Sequence, residues 1–415
     1  MKNSLNNKFF SKAESLWSFF FPFSILFVQY GYGFGNSMLT YCLLFAGYCA
    51  FRYSEFPIFK PLSVYTLFYI CIILSTVFIY GHKANWPYWM HLMQIIVSGY
   101  CVTIIAKHLD KDALYKSWKL LGLIVCVVVA YQFFRIFFLH QSVQAIRLLP
   151  VSNDALLRNE NWTSFQLRPV AFFTEPSMVV SFLAPILLLA QQKKELFVSI
   201  IVSIAILLSG STSGVVGLGI IWGFSIFSYN LSKKNKIFIV LLSIAAVIAF
   251  ITLPYFSASF EKVNYELSGE SSNMNVRMLR GWWIYGVLDI RSQLFGISDY
   301  NISSFVYGNA SEFTWQTGYE DNFYLNTAQR IFIQTGVVGA ILYVWMLIKL
   351  WVSTNKTVKP YLAFVIVSMF FGSEFYISGL FVMQFIIILS YLKKFDGDKG
   401  VLVKKKRLYV QKNYQ

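Results

Sequence analysis

The stretch Phe165–Pro185, FQLRPVAFFTEPSMVVSFLAP, changes character half-way along. Up to Glu175 it mixes polar and aromatic residues; from Pro176 it turns apolar. Proline is favoured in the first turn of a helix, and the residue before a proline is pushed out of helical geometry. A helix of membrane character is therefore expected to start at Pro176, with Glu175 at its cap and Arg168 seven residues earlier. Glu175 should sit near the positive helix end, partly buried among Phe172 and Phe173, a setting that suits a carboxylate to accepting a proton. Plain capping, or pairing with Arg168, is the simpler alternative. An apolar helix has little reason to keep ionisable groups at its mouth, so both are candidates for chemistry.

The rest of the chain places this helix in a membrane. Of 415 residues, 57% are hydrophobic, 19% aromatic and only 13% charged, against about 25% charged in soluble domains. Apolar runs of bilayer-crossing quality recur from end to end. We expect an all-α polytopic integral membrane protein, a single membrane domain over 1–415, with about twelve transmembrane helices. These are Leu16–Gly33, Met38–Phe51, Leu62–Tyr80, Tyr88–Ala106, Leu120–Leu139, Pro176–Ala190, Leu196–Leu208, Val215–Ser228, Ile237–Leu253, Ile331–Leu350, Tyr361–Phe371 and Phe375–Leu392. Only SGSTSG separates the seventh from the eighth, which suits a re-entrant hairpin. The first run lacks a small-residue cleavage site and is expected to stay as a span.

The net charge of +16 is not spread evenly. With the N-terminus in the cytoplasm and alternating sides, inner segments hold 25 Lys and Arg against 7 acidic residues, and outer segments 10 against 12. That is the positive-inside pattern; both termini are then cytoplasmic, and the basic tail 393–415, with VKKKR at Val403–Arg407, anchors at anionic lipid. No basic face remains for nucleic acid. Lysine alone could set this orientation, because 23 of 25 lysines lie inside. Eight of ten arginines instead lie outside: Arg135, Arg147, Arg158, Arg168, Arg277, Arg280, Arg291 and Arg330. Their planar forks suit phosphate; pairing with the outer carboxylates is the alternative. The five cysteines fall within early spans, and the four histidines show no metal-ligand spacing, so neither disulfides nor a metal site is expected.

Two outer connections are long, 140–175 and 254–330, and long ordered loops in compact folds usually carry function. In the second, NVRMLRGWWIYGVLDIRSQLFG (Asn275–Gly296) has helical spacing, with Met278, Trp282, Tyr285 and Leu288 on one stripe. Short amphipathic helices at the membrane surface are expected there. The DGD at Asp396–Asp398 sits in a short inner tail and reads as a solvated charge run.

RPVAFFTEPSMVVSFL resembles the R-x-x-G/A-x-F-x-E-P-s pattern of Wzy-type polysaccharide polymerases, with Arg168, Ala171, Phe173, Glu175, Pro176 and Ser177 at the matching places. LLSGSTSGVVGLGI (Leu207–Ile220) is similar to the Ser/Gly-rich helix start of that superfamily. DNFYLNTAQRIFIQTGVVGAIL resembles the HN-x-yL…E-x-G-x-xG stretch of O-antigen ligases, with Asp321 where the ligases have His. The resemblance implies a GT-C-like membrane glycosyltransferase of the bacterial inner membrane with a large late periplasmic or extracellular loop. It would move a growing glycan from undecaprenyl diphosphate to the sugar end of another undecaprenyl-diphosphate-linked repeat unit of O-antigen or capsule. It implies no cofactor and no required metal, membrane lipid and the carrier-linked oligosaccharide as partners, and a chain-length regulator protein beside them.

Such chemistry needs positive charge at a diphosphate leaving group and a base within reach of the acceptor hydroxyl. The clamp candidates are Arg168 and Arg277 or Arg280, with Arg135 and Arg291 behind them; the base candidates are Glu175, then Asp321, then His140. Two rivals remain. An O-antigen ligase would use the same donor with a lipid A core acceptor. A lipid-linked oligosaccharide flippase or secondary transporter would carry mid-membrane charges and internal repeats, and no convincing repeat is found.

Overall fold

The computed structural model describes residues 12–31, 37–53, 70–74, 86–158, 160–228, 280–309, 325–372 and 379–391. The ninth expected span (237–253), most of the third (62–80) and the basic tail lie outside them. Among the described residues the chain is all-helical, with only isolated bridge pairing, as between Val143 and Gln166. The helices are α1 (Lys12–Leu26), α2 (Ser37–Tyr53), α3 (Trp86–His108), α4 (Lys111–Phe137), α5 (Asn153–Arg158), α6 (Pro176–Gln192), α7 (Leu196–Leu208) and α8 (Thr212–Ser228). Then follow α9 (Arg280–Val287), α10 (Ile290–Phe295), α11 (Asp299–Gly308), α12 (Thr327–Ser353), α13 (Lys359–Phe371) and α14 (Gly379–Ser390).

Among the described residues two helices, α4 and α12, are long and apolar enough to cross a membrane, and six shorter apolar helices accompany them. The chain is a membrane protein of helical bundle type. At 1.5 Å rise per residue, the 13 residues of α7 reach only about 20 Å, short of a ~30 Å hydrocarbon core. A tight turn at Ser209–Ser211 folds α8 back against α7.

Several boundaries differ from the sequence reading, and polar caps explain them. α4 begins at Lys111, nine residues ahead of the apolar run, because the Asp110 side chain accepts from the backbone N–H of Asp112 and Ala113. α12 begins at Thr327 rather than Ile331, because Asn326 and Gln329 form a reciprocal capping box. α1 stops at Leu26 and gives way to a turn through Tyr30, well before Gly33. The single amphipathic helix expected over 275–296 is two helices among the described residues. Asp289 caps a fresh start at Ile290 by accepting from the N–H of Arg291 and Ser292.

One core runs through the bundle, with α6 and α14 buried along almost their whole length. α1 packs on α4, α2 and α14 on α3, α6 on α7, and α13 on α8. The helix ends expected on the lysine-rich side do gather at one end. There Lys119 pairs with Glu195 at 2.9 Å and Lys193 with Asp112 at 2.5 Å. Lys111 lies over the Tyr391 ring and Lys359 over the Trp351 ring. Glu14 of α1, only 3% exposed, is reached there by the Tyr53 hydroxyl and the His108 ring.

The other end carries the long connections. α9–α11 form a small second core with the start of α12, built from Ile284, Leu288, Ile297, Ile302, Val306, Leu325 and Ile333. α12 is kinked here at Gly336, whose φ of 63° leaves the helix. The backbone N–H of Ile297 and Ser298 donate to the carbonyls of Ile333 and Gln334, which the kink releases from helical bonding. A Cβ at Gly336 would strike the Leu294 backbone, and one at Gly296 the Gln334 backbone. Gly339 lies against the Thr335 side chain with no room for a Cβ. The QTGVVG stretch thus has a mechanical reason for its glycines.

Candidate active site

The connection 140–175 is packed, not merely tethered. Val143 and Gln166 exchange backbone hydrogen bonds at 2.9 and 2.7 Å. Trp162 is buried against Tyr30, ring centroids 4.9 Å apart, with Ala145 and Val170 around them. The Tyr30 hydroxyl accepts from the Leu148 N–H, tying the loop to the end of α1.

Two glutamines from the bundle hold the segment that leads into α6. Gln132 of α4, 2% exposed, accepts from the N–H of Val170 at 2.9 Å and of Ala171 at 2.7 Å, and donates to the Gln144 carbonyl at 3.1 Å. Gln29, after α1, accepts from the Thr174 N–H at 3.0 Å and donates to its hydroxyl at 2.6 Å. Gln166 donates to the Thr174 carbonyl at 2.8 Å. Ala171 takes a left-handed φ of 50°, and its carbonyl accepts from the Ile146 N–H. Phe172 and Phe173 turn into the core.

This arrangement leaves Arg168 and Glu175 facing outward. Glu175 is the N-cap of α6, extended at φ −139°, with Pro176 in the first turn as expected. Its carboxylate is exposed, not partly buried among the phenylalanines; those rings point the other way because the backbone reverses at Ala171. It makes no capping bond and accepts from the Ser177 hydroxyl at 3.1 Å. Arg168 is exposed and in no ion pair with Glu175.

The other outer arginines and the remaining base candidates fall as follows. Arg135, near the end of α4, is exposed and puts two guanidinium nitrogens on the Gln141 amide oxygen at 3.1 and 3.0 Å. Arg147 donates to the Trp162 carbonyl. Arg291 is exposed on α10. Arg280 opens α9, but its side chain lies outside the described residues, as do Arg277 and Asp321 entirely. His140 is exposed at a φ of 52°. Among the described residues, Arg135, Arg147, Arg168 and Arg291 are in no ion pair, so the carboxylate-pairing alternative does not account for them there. Also among the described residues, no group of three or more His, Cys, Asp or Glu is placed to hold a metal ion.

Residues 197–344 match the family model described as O-antigen ligase. That stretch of the chain is similar to the O-antigen ligase family. The matched stretch takes in α7 and α8, the helices α9–α11 and most of α12, with Arg277, Arg280, Arg291 and Asp321 inside it. Arg135, Arg168 and Glu175 precede it. No curated protein matches the chain.

The expected aromatic stripe of the matched stretch is rearranged. Gly281 and Ile284 of α9, and Leu288 just after it, face inward, and Gly281 sits against Gln329 of α12. Trp282 is 41% exposed, resting edge-on against Phe332 at 5.1 Å, and Trp283 is exposed beside it. A glycine at 281 lets α9 close on α12, which rotates Trp282 off the buried stripe. The three glutamines and Thr174 were not singled out in the sequence. The signal for Gln132 was present: a lone amide in the apolar run VCVVVAYQFF.

Proposed function

We propose that the chain is a membrane glycosyltransferase that polymerises carrier-linked repeat units of a bacterial surface polysaccharide. The single observation that carries this reading is the outward presentation of Arg168 and Glu175 from one rigidly held segment, while Arg135, Arg147 and Arg291, among the described residues, spend no charge on carboxylates. The O-antigen ligase match and the twelve-span pattern in the sequence support it. In this reading the architecture is GT-C-like, the long connections face the periplasm or cell exterior, and both termini lie in the cytoplasm of the inner membrane. Membrane lipid and a chain-length regulator protein are its partners.

The acceptor sugar hydroxyl attacks the anomeric carbon of the donor glycan. A new glycosidic C–O bond forms as the bond to undecaprenyl diphosphate breaks. The hydroxyl proton passes to a carboxylate, Glu175 in first place and Asp321 in second, and the diphosphate leaves with its electron pair. Arginine forks gather the charge that develops on it: Arg168 with Arg277 or Arg280, then Arg135 and Arg291. Exposed Trp282 and Trp283 offer faces for sugar rings, and α9–α11 rest at the outer membrane surface.

A ligase reading shares the donor and is favoured by the description of the matched family model. Deletion in the host separates the two. Loss of a polymerase leaves surface lipid capped by one repeat unit. Loss of a ligase leaves bare lipid core and accumulated carrier-linked polymer, and stranding of repeat units inside would point instead to a flippase.

A further inference from the structure

Resting on the reading above, we infer that Gln132 is a positioning residue for sugar transfer: its one buried amide holds the turn that aims Arg168 and Glu175. Gln132 lies on α4 and touches neither candidate residue. Its Oε1 takes two consecutive backbone N–H groups, those of Val170 and Ala171, while its Nε2 holds the Gln144 carbonyl on the other limb of the loop. One side chain thus sets the spacing of the two limbs and the reversal at Ala171, midway between Arg168 and Glu175.

Two features set this bond apart from ordinary loop packing. Val170, Ala171 and Gln132 are all buried, so the donors have no water to turn to if the amide is lost. Ala171 is held at positive φ without being glycine, a conformation that persists only where its surroundings over-determine it. The amide of Gln29 fixes Thr174 in the same manner one residue before Glu175. Gln132 therefore acts on turnover through geometry: a small shift in a base or clamp costs rate more than binding.

The test uses the full-length chain in proteoliposomes, with carrier-linked repeat units extracted from a host strain lacking it as the probe. Gln132→Leu keeps the size and removes every hydrogen bond. Gln132→Glu keeps an acceptor oxygen for both N–H groups and, held neutral by burial, an O–H donor toward the Gln144 carbonyl. Gln192→Leu cuts a similar tie, to the Thr357 carbonyl, at the lysine-rich end. Gln132→Leu should lose turnover at least tenfold with little change in KM, Gln132→Glu should stay within about threefold of wild type, and Gln192→Leu should match wild type. Hydrogen exchange at Val170 and Ala171 should quicken in Gln132→Leu while α6 stays protected. If Gln132→Leu turns over like wild type, or if Gln132→Glu falls as far as Leu, the positioning role is wrong. If the wild-type chain itself transfers no sugar, the polymerase reading fails instead. Should Gln132→Leu not fold, Gln132→Glu together with Gln29→Glu decides on the same readouts: retained turnover supports the role, and a Leu-like loss in a folded protein overturns it.

Discussion

Ala171 shows how much one residue carries. Its N–H is held by Gln132, its carbonyl accepts from Ile146, and its φ of 50° turns the chain so that Phe172 and Phe173 go inward and Glu175 goes outward. A small residue is required: Ala171→Gly should fold at least as well, while Ala171→Val should cost about 1–3 kcal/mol, measured as a lower thermal unfolding midpoint in detergent. At Glu175, exchange to Gln keeps shape and removes the base, so transfer should fall by roughly 10²–10⁴-fold with expression unchanged. Arg168→Lys keeps the charge and loses the fork; a clear loss of turnover is expected, and full activity would remove Arg168 from the clamp. The residues most legible in the sequence were those at the cap, because Glu-Pro before an apolar run has a local meaning. Gln132 and Gln29 reach the 170–174 segment across separations of 38 to 145 positions, which no local pattern reports. Glu175 is exposed where the sequence suggests partial burial, because phenylalanines adjacent in sequence do not share its direction once the backbone reverses at Ala171.

Among elements, α12 is the most informative. Its apolar run was plain, but its start at Asn326 and its break at Gly336 come from capping and from packing against the strap 296–298. Gly336→Ala and Gly296→Ala each place a Cβ into the facing backbone at positive φ. Each should destabilise the fold by at least the roughly 1–3 kcal/mol of a strained backbone, and the double variant should cost less than the sum of both, since one crossing is lost. At the opposite end, Glu195 before α7 offers a pH test. Burial raises its carboxyl, but the hydrogen bond from Lys119 and the nearby Lys193 charge outweigh it, so its value lies below the ordinary 4.5. A depressed carboxylate stabilises the fold above its ordinary value and loses that contribution as pH falls through the lower folded value. Wild type should therefore lose stability below about pH 4.5 relative to Glu195→Gln, by under about 1 kcal/mol for so exposed a pair; equal acid profiles would show the pair contributes nothing.

At the scale of the whole molecule, hydropathy and lysine placement locate the helices among the described residues, because both reflect the bilayer and not tertiary detail. The ends they assign to one side do cluster, through Lys119–Glu195, Lys193–Asp112 and Lys111–Tyr391 at one end and through Tyr30, Trp162 and Leu148 at the other. Helix lengths were less legible at polar ends, since apolar runs do not show polar first turns, as in α4; the short α7, Leu196–Leu208, coincides with its apolar run. The most direct measurement is the glycan on the surface of a host whose own copy is deleted and replaced by wild type or Glu175→Gln. Gel length profiles should show long polymer with wild type, and lipid capped by a single repeat unit with the deletion and with Glu175→Gln at matched expression. Bare lipid core with carrier-linked polymer accumulating, or full-length polymer from Glu175→Gln, would contradict the account.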